Sequence, residues 1–99
     1  MEVPKSQDRK LLIAVYEFVA TALLSYAILI SGGSSVGVTF VVFILILAAN
    51  PISGAHLNPA ITIALYISRK EYRKFCPLFF TMVASECLGA MAGMYLALC

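Results

Sequence analysis

The chain has 99 residues, 62% of them hydrophobic and 12% charged, with a mean hydropathy of +0.95. Those values exclude an ordinary soluble domain, in which charged residues make up ~25%. The formal charge of +2 implies no nucleic-acid partner, because all seven Lys and Arg sit in two clusters for which membrane topology accounts.

The first cluster, Lys5, Arg9 and Lys10, precedes Leu11 to Ile30, a 20-residue stretch whose one charge is Glu17. At helical rise this length covers the ~30 Å hydrocarbon core, so a first span is predicted over 11–30. A cleaved signal peptide is the competing reading of this N-terminus, but such signals use apolar runs of only ~7–15 residues and do not carry a glutamate inside them. Ser31-Gly32-Gly33-Ser34-Ser35 then forms an uncharged loop.

A second span is predicted over 36–52, ending at Asn50-Pro51. Its Val and Ile content would suit a strand, yet 17 apolar residues exceed a typical strand, and lipid requires the backbone to pair internally. Next comes Ser53-Gly54-Ala55-His56-Leu57-Asn58-Pro59-Ala60. Asn58 is a good N-cap, and Pro59 suits the first helical position, where a missing N–H costs nothing. From there an apolar helix runs only to Ser68 and Arg69, about ten residues or roughly 15 Å. That is half a membrane, so 53–68 is expected to be a re-entrant loop and half-helix.

The second basic cluster, Arg69, Lys70, Arg73 and Lys74, leads into a third predicted span over 77–98, which contains Glu86. The chain stops at Cys99 without a polar exit loop, which reads as one repeat of a longer protein. If the half-helix returns to its own side, both basic clusters face the cytoplasm, as the positive-inside rule prefers, and the N-terminus is cytoplasmic. The expected fold is therefore an all-α membrane protein with three transmembrane helices and one re-entrant half-helix, forming a single repeat over 1–99.

A half-helix ending at the midplane turns the positive end of its dipole toward the bilayer centre. Cations and protons meet an electrostatic barrier there, and uncharged solutes do not. If the Asn58 oxygen caps the helix, its NH2 stays free to donate. The loop carbonyls before it need either protein or a wet cavity, since irregular backbone is not tolerated against lipid.

With these residues in view, the chain resembles the first repeat of the aquaporin and glycerol-facilitator family of major intrinsic proteins. The likeness rests on the Asn58-Pro59-Ala60 signature and its preceding loop, on Glu17-Phe18 followed by Thr21, and on Glu86-Cys87-Leu88-Gly89-Ala90, where the family usually has Gln before Leu-Gly-Ala. The resemblance implies a channel for water or small uncharged solutes. It makes Asn58 one of two pore asparagines and the carbonyls of Gly54, Ala55 and His56 acceptors along the path. Glu17, and with it Glu86, would support the loop. Val38 falls near a position where water-selective members carry an aromatic, which would leave a wider throat.

The departures are equally specific. The family closes its pore with two inverted repeats, and this chain supplies one, without the arginine that follows the second Asn-Pro-Ala. A second channel half, or a full-length homologue, is the expected partner besides membrane lipid, within a tetramer when complete. Ser85, Gly89, Gly93 and Ala97 recur every fourth residue and predict a close helix-packing stripe. His56 has no Cys, Asp or second His at ligand spacing, so no metal or other cofactor is expected. Cys76, Cys87 and Cys99 show no paired spacing and read as small apolar residues. No nucleophile with a base or phosphate loop points to an enzyme. Two rival readings remain open: a non-conducting regulatory subunit of channel oligomers, and a proton-coupled transporter using Glu17 and Glu86.

Overall fold

The computed structural model describes residues 10–70 and 72–99. They form four helices and, among the described residues, no strand: α1 (Lys10–Ile30), α2 (Ser35–Ser53), α3 (Pro59–Arg69) and α4 (Tyr72–Leu98). By length and apolarity Lys10–Ile30, Ser35–Ser53 and Cys76–Leu98 can each cross a membrane, whereas the 11-residue α3 rises about 16 Å and cannot. The protein is thus an all-α integral membrane protein. Lys5, Arg9 and the side chains of Tyr72, Arg73 and Lys74, which enter the charge argument or the expected interfacial belt, lie outside the described residues.

Local chemistry explains most of the boundaries. α1 closes in a glycine-dependent C-cap: Gly33 N–H donates to the Ile28 carbonyl (3.0 Å) and Gly32 N–H to that of Leu29 (3.3 Å), with both glycines at positive φ. Ser34 then caps α2, its hydroxyl accepting from Gly37 N–H at 3.3 Å. Two prolines near the ends of the predicted spans lie inside helices. α2 continues through Pro51 to Ser53, and α4 starts at Tyr72, ahead of Pro77. In lipid a complete break exposes several polar groups, while a proline within a helix forfeits one N–H bond.

Packing follows a simple scheme in which α1 touches α2 and α4, and α3 lies against α4. The α1–α4 contact is a backbone approach. A Cβ added at Gly89 would overlap the Phe18 carbonyl oxygen, and one at Gly93 the Ala22 carbonyl and the Ser25 hydroxyl. Ser25 Oγ also donates to the Ala90 carbonyl at 2.9 Å. Gly89 and Gly93 are buried in this contact, and Ser85 and Ala97 on the same stripe are half-buried. Two small apolar clusters complete the interior. Ile13, Leu78 and Met82 join α1 to α4, with Leu65 and Tyr66 of α3 packed against them. Ala20, Leu45 and Ala49 join α1 to α2 beneath Ala55 and Leu57 of the loop. The outward surface is apolar, with Leu11, Phe40, Phe43, Leu47, Phe80 and Leu98 all exposed, as a lipid-facing shell requires.

Candidate functional site

The segment between α2 and α3 folds back into the helix bundle, and its backbone is irregular for five residues. Gly54, Ala55 and Leu57 have φ of 86°, 52° and 60°. Two of these are non-glycine residues in the left-handed region, a cost of order 1–3 kcal/mol each that persists only where the surroundings impose it.

The surroundings can be named. Gly54 N–H donates to the Asn50 carbonyl (3.1 Å) and Ala55 N–H to Ser53 Oγ (3.2 Å), while that hydroxyl donates to the Ala49 carbonyl. His56 N–H and Leu57 N–H both donate to Glu17 Oε1, at 2.9 and 3.4 Å. The four loop N–H groups from Gly54 to Leu57 are therefore satisfied at depth. A carboxylate is the effective choice at the turn's centre, because one oxygen takes two donors without needing a hydrogen of its own.

Asn58 then starts α3. In extended backbone conformation (φ −154°, ψ 128°), it accepts from Ala60 N–H with Oδ1 at 2.8 Å, and its carbonyl accepts from Ile61 and Thr62 N–H. Pro59 contributes no N–H, so the donors of the first turn are spent on Asn58 itself. None of these bonds uses the Asn58 side-chain NH2. At the far end Arg69 lies in the last turn, where a cation complements the dipole.

Below the tip, three residues far apart in sequence meet. Glu17, His56 and Glu86, which are 0%, 1% and 0% exposed, bring potential ligand atoms within 4.8 Å of one another. Thr62, 3% exposed, joins them: its Oγ1 lies 2.8 Å from both Glu86 oxygens and 2.9 Å from His56 Nδ1. Glu17 Oε2 and Thr21 Oγ1 are buried without a hydrogen-bond partner. The cluster has the donor types of a metal site, although the Thr62 hydroxyl already stands between His56 Nδ1 and Glu86.

The sequence candidates thus separate. Glu17 meets the loop backbone. Glu86, expected as a second support of the loop, takes Thr62 of the half-helix rather than a loop N–H. Gly54, Ala55 and His56 are buried, while Asn58 and Ala60 are exposed and Pro59 is half-buried. Val38 is half-buried in the first turn of α2, at the opposite end of that helix from the loop. Ser85, Gly89 and Gly93 belong to the α4 stripe and not to the loop. Cys76, Cys87 and Cys99 are free thiols.

Thr62 and Ser53 escaped sequence reasoning. The available signal for Thr62 was a hydroxyl four residues after Asn58 in an otherwise apolar half-helix. Nothing local announced that Glu86 would lie opposite it.

Residues 5–98 match the family model described as "Major intrinsic protein". Among curated proteins, the chain is 34% identical over 97 residues to "Aquaporin PIP2-7" of Musa acuminata, covering 80% of this chain and 33% of that protein. It is 38% identical over 55 residues to "Aquaporin PIP2-4" of Oryza sativa subsp. japonica (56% of this chain, 18% of that protein). It is also 36% identical over 52 residues to "Probable aquaporin PIP2-4" of Arabidopsis thaliana (52% and 17%). The matches span about a sixth to a third of these relatives' lengths. No solved structure matches.

Proposed function

Because the chain belongs to the major intrinsic protein family, we propose that it supplies one repeat of a passive membrane channel for water or small uncharged solutes. The observation that carries this reading is the half-helix whose tip spends its backbone donors on Asn58 and leaves the Asn58 amide exposed. A solute oxygen passing the tip accepts from that amide. A cation finds the positive end of the α3 dipole instead, at a depth where water is too scarce to screen it.

Residues 1–99 then act as a single aquaporin-like repeat, with Asn58, Pro59 and Ala60 forming one side of the constriction. The opposite side comes from a second channel half presented in inverted orientation, since one half-helix bounds a conduit on one face only. The relatives named as aquaporins are longer than the matched region, in keeping with such a second half. Placing both basic clusters on the cytoplasmic side puts the N-terminus there as well. No catalysis enters this mechanism.

Stopped-flow light scattering on vesicles containing this chain together with a complementary half tests the reading. Osmotic shrinkage should be faster than in empty vesicles with no rise in ion conductance, and Asn58→Asp should admit cations by cancelling the positive tip. Shrinkage no faster than in empty vesicles would overturn the channel reading and favour a non-conducting subunit.

A further inference from the structure

The Glu17, Glu86, Thr62 and His56 cluster is more acidic than its hydrogen bonds can support. Four carboxyl oxygens are buried together. Glu17 Oε1 receives two loop N–H groups, while Glu17 Oε2 receives nothing. Both Glu86 oxygens face the same Thr62 Oγ1 at 2.8 Å, and a hydroxyl carries a single hydrogen. Glu17, Glu86 and His56 each bring one ligand atom within 4.8 Å of the other two. Two carboxylates that close have no hydrogen to share, and their charges repel where little water screens them. α2 carries no titratable residue, α3 presents the uncharged Thr62, its Arg69 is exposed at the far end, and the loop presents His56.

We propose that Glu86 and Glu17 share one proton in the folded protein, carried on Glu86 and donated to the orphaned Glu17 Oε2. This proton supplies the missing hydrogen, halves the buried negative charge, and leaves Glu17 Oε1 free to hold the loop. It ties α4 directly to the side chain that anchors the loop to α1. A divalent cation would also neutralise the pair, but Glu17 Oε1 is already committed to two N–H groups and the Thr62 hydroxyl occupies the space beside His56 Nδ1. The proposal does not rest on the permeation reading, because it concerns the support beneath the half-helix and not the solute.

Infrared spectroscopy of the chain in lipid nanodiscs at neutral pH should show the carbonyl stretch of a protonated carboxyl, shifted by hydrogen–deuterium exchange and absent in Glu86→Gln. If the variant does not fold, the presence or absence of the wild-type band still decides the matter. A missing band at neutral pH, or a band that survives in Glu86→Gln, would each overturn the proposal. So would stabilisation by added Zn2+ or Ca2+ that Glu86→Gln abolishes.

Discussion

Thr62→Val is the most informative single change, because valine keeps the shape of the side chain and removes only the hydroxyl. Thr62 is 3% exposed and serves both His56 Nδ1 and the Glu86 carboxyl, so the substitution strands two buried polar groups at once. Leaving one such group unsatisfied costs ~1–3 kcal/mol, whereas one interhelical hydrogen bond within a bilayer averages only ~0.6 kcal/mol, because the unfolded chain in the membrane also finds partners. With two buried groups stranded, the expected loss is about 2–4 kcal/mol. Thr62→Ser keeps the hydroxyl and should lose less than ~1 kcal/mol, the worth of a methyl group. Reversible unfolding in mixed micelles, followed by helical circular dichroism, measures both. If Thr62→Val falls within roughly 0.5 kcal/mol of the wild type, or if Thr62→Ser is equally damaging, the hydroxyl is not the junction of the cluster and the reasoning fails.

The remaining predictions concern the two other contacts that set the geometry. Gly93→Ala places a methyl against the Ala22 carbonyl and Ser25 hydroxyl, forcing α1 and α4 apart. Overpacking of this kind costs ~1–3 kcal/mol and should appear in the same unfolding assay, with Gly37→Ala, whose added methyl would meet its nearest neighbour at an ordinary contact distance of 3.7 Å, as a tolerated control. Asn58→Ala removes the acceptor of Ala60 N–H and should cost the half-helix about 1 kcal/mol of capping energy, measured as faster amide exchange at Ala60 with exchange in α1 unchanged.

The parts of this fold that the sequence disclosed are those governed by neighbouring residues. Three apolar runs of spanning length, the Asn58-Pro59 helix start and the Gly32-Gly33 turn each act within a few positions, and each is present in the structure. The third span was expected from Pro77, whereas α4 already begins at Tyr72, since a proline within a helix forfeits a single bond. The buried cluster could be read only in part, through its two intramembrane glutamates. Glu17, His56 and Glu86 come from three different segments, and only the crossing of α1 with α4 brings them together. The role expected of Glu17 could be guessed from its expense in a span. The dependence of Glu86 on Thr62 could not, since it follows from how α3 lies along α4.

The backbone-to-backbone seam at Gly89 and Gly93 has a mechanical side. Side chains absorb stress by hopping between rotamers, and a seam of carbonyls against glycine has none to offer. α4 can slide along α1 only by abandoning one notch for the next, a jump of about 6 Å for four residues at helical rise. The half-helix rides on α4 while its entry loop is tethered to α1, so a jump of that size would tear tip from tether. The elevation of Asn58 in the bilayer is thus geared to the thread of two helices, and a gentle squeeze from the surrounding lipid leaves it where it is.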